Sequence, residues 1–143
     1  MGGRGCKLLV DMYLKRSHKE RTGEFQTLFK KDGISFIRAY PDRGSTSAPE
    51  FSNSPGSIYV NINNKNEIRD ICVYGEDHKP IYTIHPGDDN QPLHFHKGSR
   101  TIDGKSEHFY LKDFSKEQLD LLEKAKQIHK EQTANGRFKP RNT

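Results

Sequence analysis

The chain has 143 residues, with 24 Lys and Arg against 19 Asp and Glu and a hydrophobic fraction of 31%. That length holds one modest domain, and so low an apolar share leaves too little material for two separate cores. No stretch approaches the roughly 18 consecutive apolar residues of a membrane span, and the start Met1-Gly2-Gly3-Arg4-Gly5-Cys6-Lys7 lacks the apolar run of a secretory signal. The expectation is a cytoplasmic protein with no membrane partner. Its two thiols, Cys6 and Cys72, stand far apart without CxxC spacing, which argues against a cysteine-rich zinc site and gives neither thiol the signature of a nucleophile.

In chain order, residues 1–6 read as a disordered start, and segment 7–16 reads as a short helix. Glu24 to Ala39 reads as a hairpin, because Asp32-Gly33 supplies the positive-φ residues of a tight turn between two apolar runs. Residues 40–56, rich in Pro, Gly and Ser, form a long surface loop of the kind that often carries function. Ile58, Val60 and Ile62 alternate with Tyr59 and Asn61, the period-two pattern of a half-buried strand.

Glu67 to Tyr74 and Pro80 to His85 follow as further strands, with turns at 63–66 and 75–79, so that the three make an antiparallel meander. Glu107 to Leu111 reads as one more strand. The last element is a helix from Ser115 to Glu131, opened by the capping-box pair Ser115 and Gln118 and facing inward through Leu121, Leu122, Ala125 and Ile128. The predicted class is α+β: a curved antiparallel sheet of hairpin plus meander, with a C-terminal helix packed on it and a short N-terminal helix. The domain spans 7–131, and 132–143 is a basic, flexible tail.

Charge is unevenly spread. Residues 1–40 carry nine Lys or Arg and four Asp or Glu, residues 41–111 seven and ten, and residues 112–143 eight and five. Basic ends around an acidic middle suit contact with a polyanion, which makes Lys15, Arg16, Lys19 and Arg21 at one end, and Arg137, Lys139 and Arg141 at the other, the candidate nucleic-acid-binding residues.

Four of the seven histidines, His85, His94, His96 and His108, fall within 24 residues. Imidazole titrates near neutral pH, so two rings converging on a phosphodiester can take the proton of an attacking 2′-OH and give one to the leaving 5′-oxygen. Alternation along a strand turns His94 and His96 to one face and Phe95 to the other. With a cation from Lys97 or Arg100 to stabilise the developing charge, the candidate catalytic set is His94, His96, His85, Lys97 and Arg100. His18, His78 and His129 read as surface residues without a role. An alternative uses the same side chains differently: His85, Asp88, His94 and His96 as ligands of a zinc, nickel or iron type ion, with positions left open for water.

The start Met1 to Gly5, the run Ile68 to Tyr74, the segment Gly75 to His85 and the His94-Phe95-His96 triplet after a Pro-containing loop resemble small domains encoded by phages and prophages of Gram-positive bacteria. Those domains are similar to the barnase, EndoU, colicin and RelE-like toxin nucleases. The resemblance covers about residues 68–97 and implies a helix packed on a curved antiparallel sheet. It also implies a ribonuclease that needs no cofactor and cleaves RNA through a 2′,3′-cyclic phosphate in a host bacterial cell, with His85, His94 and His96 as acid and base groups. The chain departs from that pattern at Asp88-Asp89, which puts negative charge in the loop. The competing reading is a non-enzymatic phage accessory protein, anti-CRISPR-like, that binds a host nucleic-acid-processing or defence machine through its basic ends and the 40–56 loop.

Overall fold

The computed structural model of the protein describes residues 25–39, 47–98 and 107–141. The expected helix over 7–16 and the start 1–6 lie outside them, as do Lys15, Arg16, Lys19, Arg21 and Arg100.

Seven strands form one open sheet in chain order: β1 (Phe25–Lys31), β2 (Ile34–Ala39), β3 (Ile58–Ile62), β4 (Ile68–Tyr74), β5 (Pro80–His85), β6 (His94–Lys97) and β7 (Phe109–Tyr110). Every neighbouring pair is antiparallel except one. β2 and β3 run parallel, with Phe36 opposite Val60, which corrects the expectation of an antiparallel sheet throughout. A parallel pair cannot be closed by a tight turn, so β2 and β3 need a crossover connection, of which residues 47–57 are described. The β1–β2 turn places Asp32 and Gly33 both at positive φ, as the sequence pattern requires.

The two faces of the sheet have different covers. Phe36, Val60, Ile71, Ile84 and Phe95 point to one side and form the core with Leu122, Ala125 and Ile128 of α1 (Lys116–Ala134), the one α-helix among the described residues. At the start of α1, Ser115 Oγ accepts from the Gln118 N–H at 3.1 Å, and Gln118 Oε1 accepts from the Ser115 N–H at 2.8 Å, so the expected capping box is present. No helix among the described residues is long and apolar enough to cross a membrane.

The expected flexible tail is, over residues 135–141, part of the folded body. Phe138 is 1% exposed and packs against Phe29, Phe36 and His129. Beside it, Arg38 donates to the Lys139 carbonyl at 2.9 Å and Arg141 donates to the Ala39 carbonyl at 2.7 Å. One aromatic side chain gives the segment an apolar anchor, and the surrounding guanidinium groups cap otherwise open backbone carbonyls. His129, stacked on Phe138 and partly buried, is correspondingly not a surface residue.

Candidate metal centre

On the face opposite the helix, strand register brings the histidines together. His85 lies directly across from His94, and His94 from Tyr110; one rung along, Thr83 lies across from His96. Extending the β6–β7 register by one residue beyond its last paired position sets His108 opposite His96. Alternation on β6 sends His94 and His96 to this face and Phe95 and Lys97 to the other. Four imidazoles therefore occupy two adjacent rungs of three strands.

The ring centroids confirm the convergence. His85 stacks on His94 at 4.9 Å and meets His96 edge-on at 5.1 Å, while His108 lies 4.4 Å from His94 and 4.6 Å from His96. His94 and His96 are 2% and 4% exposed. One ring nitrogen from each of His85, His94 and His96 lies within 4.8 Å of the other two.

Backbone carbonyls set the tautomers. His94 Nδ1 stands 2.8 Å from the Pro92 carbonyl and His96 Nδ1 stands 3.0 Å from the Glu107 carbonyl. A carbonyl oxygen only accepts, so each Nδ1 carries the proton, and in the neutral ring each Nε2 keeps its lone pair. Anchoring one ring nitrogen and leaving the other as donor is the arrangement that orients metal-bound imidazoles. Burial, followed by repulsion from His94, His96, Arg69 and His108, pushes the His85 imidazole down to about 4, so at neutral pH it is uncharged and free to donate a lone pair.

Gly87 shapes the loop that leads to His94. Its φ is +97°, and a Cβ there would lie 2.8 Å from the Leu93 amide nitrogen and 3.1 Å from the Pro92 carbonyl carbon. Only glycine lets the backbone close up there, and the group it approaches is the one that holds His94.

Two cavities share His85 and Arg69 in their linings, the larger called outer and the smaller inner. The outer one, about 370 Å³, is lined by His85, His94, Arg69, Glu67, Asp88 and Gln91 among others. The inner one, about 100 Å³, is lined by His85, His96, Arg69, Asp70, Cys72 and Thr83 together with the segment Ser47 to Glu50. That segment belongs to the crossover, which lies over this face. The Ala48 N–H points to Asp70 Oδ2 at 3.4 Å, and the Tyr74 hydroxyl donates to the Pro49 carbonyl. His78 Nδ1 and the Ser52 carbonyl lie 2.7 Å apart, and the Ser52 N–H donates to the His78 carbonyl at 2.9 Å. His78 is thus a buried latch for the loop rather than a surface residue, and the loop itself buries Phe51 and Ser52.

The predicted site residues divide accordingly. His85, His94 and His96 come together, and His108 joins them. Lys97 does not: it faces the other side of the sheet and sits over the Phe109 ring at 4.6 Å from its centroid. Asp88 lines the outer cavity, but its Oδ1 accepts the backbone N–H groups of Asn90 and Gln91 at 2.7 and 2.8 Å, closing its own turn instead of completing a ligand set. Of the basic residues, Arg137 lies over the Phe29 ring and bonds Gln132, and Arg141 is tied to Ala39, so both have structural partners far along the chain from the histidines. Cys72 is buried, and desolvation pushes its thiol up to about 12, which removes it as a nucleophile at neutral pH.

Arg69 and Asp70 are functional candidates that sequence reasoning missed. Adjacent on β4, they read there as the ordinary polar positions of a half-buried strand. Asp70 is 1% exposed, its Oδ1 has no hydrogen-bond partner among the described residues, and Arg69 Nε lies 4.0 Å from its Oδ2. Burial pushes its carboxyl up to about 6, against the pull of Arg69, Asn61 and the Ala48 N–H. The only sequence signal for it was its place in register beside Asn61, a polar pair at the centre of a sheet.

No protein-family model, curated protein or solved structure matches this chain.

Proposed function

We propose that the protein binds one divalent transition-metal ion through His85, His94 and His96. The single observation that carries the reading is the convergence of three imidazole nitrogens to within 4.8 Å, two of them on rings whose Nδ1 is anchored to a backbone carbonyl. An ion about 2.0–2.1 Å from each nitrogen requires separations of about 3–3.4 Å in a tetrahedral site, so the rings draw together on binding. A ligand set of imidazoles alone suits zinc, copper, nickel or iron and argues against magnesium or calcium, which take oxygen. Three protein ligands would leave a position open for water, and an ion held there would supply an acidified water and a Lewis acid.

The test is titration of chelator-treated protein with Co(II), read by its visible d–d absorption, and with Zn(II), read by calorimetry. One equivalent should bind in the wild type, and none with comparable affinity in His94→Ala or His96→Ala. Absence of stoichiometric binding by the wild type would overturn the reading.

Ribonuclease chemistry without a metal is the second reading. What supports it is Arg69, which lines the outer cavity with His85 and His94 and supplies the cation that Lys97 and Arg100 were expected to provide. Incubation with RNA in excess chelator separates the two readings. Cleavage that survives chelation and disappears in His94→Ala, His96→Ala and Arg69→Ala favours the second, and cleavage that requires added Zn(II) or Co(II) favours the first.

A further inference from the structure

The buried carboxyl of Asp70 is only partly satisfied by the Ala48 N–H, Asn61 and Arg69. It lies at the centre of the sheet, 1% exposed, with one oxygen unpartnered and with its nearest cation, Arg69, at 4.0 Å. A buried carboxylate with one oxygen unpartnered and a cation no closer than 4.0 Å is costly, and an apolar or amide side chain of the same shape would lessen that cost. A divalent ion held by imidazoles raises the converse difficulty: the ligands are neutral, so the whole double positive charge stays on the ion in a half-buried site. Each problem answers the other, because Asp70 lines the inner cavity together with His85 and His96.

From this juxtaposition, and resting on the metal-binding reading above, we infer that Asp70 is the outer-sphere carboxylate of the centre. It balances the charge of the ion across the inner cavity and accepts a hydrogen bond from water bound to that ion. The cavity, about 100 Å³, has room for a few water molecules and is too small for a nucleotide. His85 and Arg69 line this cavity and also the larger one, of about 370 Å³, that His94, Glu67 and Asp88 line. Glu50 and Arg69 are the other charged residues lining the inner cavity. With Asp70 they sum to one negative charge when all three are ionised, a balance that favours a cation.

The experiment compares wild type with Asp70→Asn, which keeps shape and removes charge, by Zn(II) calorimetry and by thermal unfolding with and without the metal. Loss of an outer-sphere partner typically weakens metal binding roughly 10- to 100-fold. That loss is expected here, while the metal-free variant melts at a higher temperature than the metal-free wild type. The opposite signs distinguish a charge partner from a residue that merely holds the fold. Zn(II) affinity within twofold of wild type in Asp70→Asn would overturn the inference while leaving the metal site standing, whereas no binding by the wild type would overturn both. If Asp70→Asn does not fold, the carboxyl carbon resonance of Asp70 in the ¹³C-labelled wild type decides: it should move on addition of one equivalent of Zn(II), and a resonance that stays put refutes the assignment.

Discussion

His85 faces His94 across the β5–β6 ladder, and their rings stack at 4.9 Å with an interplanar angle of 20°. Two protonated imidazoles would repel at that distance, so the pair is stable when at least one ring is neutral. His85, kept uncharged at neutral pH by its burial, thus presents a lone pair rather than a charge to whatever lies between the strands.

The ligands should not be equivalent. His94 and His96 are buried and anchored through Nδ1, whereas His108 stands one residue before the two-residue edge strand β7 and lies outside the group of three converging nitrogens. With roughly 10–16 kcal/mol shared among four ligands in a structural zinc site, loss of one full ligand costs on the order of 3 kcal/mol, about 100-fold in affinity. His94→Ala and His96→Ala should show that loss in Zn(II) calorimetry, and His108→Ala a smaller one. Equal losses for all four histidines would instead mark a closed four-histidine site.

Acid stability should reveal two opposing titrations in metal-free protein. His85 has its folded value lowered from 6.5 to about 4, so its contribution is present above 6.5 and is lost as pH falls toward 4. Asp70 has its folded value raised from 3.8 to about 6, so its contribution is present below 3.8 and is lost as pH rises through 6. Each is on the order of 2–3 kcal/mol, and between pH 4 and 6 they oppose. Urea unfolding of the wild type should vary little over that window. Asp70→Asn should lose stability on acidification, and His85→Gln should lose it as pH rises; parallel profiles for the two variants would contradict the assignment.

Gly87→Ala should damage the site more than the fold. The added methyl group meets the backbone at Pro92 and Leu93, and the Pro92 carbonyl is the acceptor for His94. Metal affinity should fall by roughly tenfold, the lower end for an outer-shell change, with an unchanged far-ultraviolet spectrum. Unaltered affinity would show that the carbonyl does not position the ring.

Phe138→Ala tests the docked C-terminal segment. The ring is fully enclosed by Phe29, Phe36 and His129, so its removal should cost about 3–5 kcal/mol by chemical denaturation. A cost under about 1 kcal/mol, the range of surface substitutions, would mean that the segment does not belong to the core.

The alternation of Ile58, Val60 and Ile62 and the capping pair Ser115 and Gln118 are local signals, and the strand and the helix they mark stand where expected. The parallel pairing of β2 with β3 was not legible, because it depends on the path of a crossover with no periodicity. His94 and His96 were readable as one face from spacing alone. Their meeting with His108 was not, since β7 is two residues long and only register across β6 reveals it. Asp70 escaped notice for a related reason: a carboxylate looks the same in a sequence whether water or protein surrounds it. The tail was misjudged because one Phe among basic residues carries little weight in composition and a large one in packing.

The crossover between β2 and β3 gives the molecule unequal lids. Helix α1 seals its side with interdigitated aliphatic groups, so uncovering that side means unfolding. The histidine side is covered at Ser47 to Glu50 by single polar contacts, Ala48 to Asp70 and Pro49 to Tyr74, with Phe51 and Ser52 buried just beyond. The strength of that cover therefore depends on the same Asp70 carboxyl that lines the cavity beneath it.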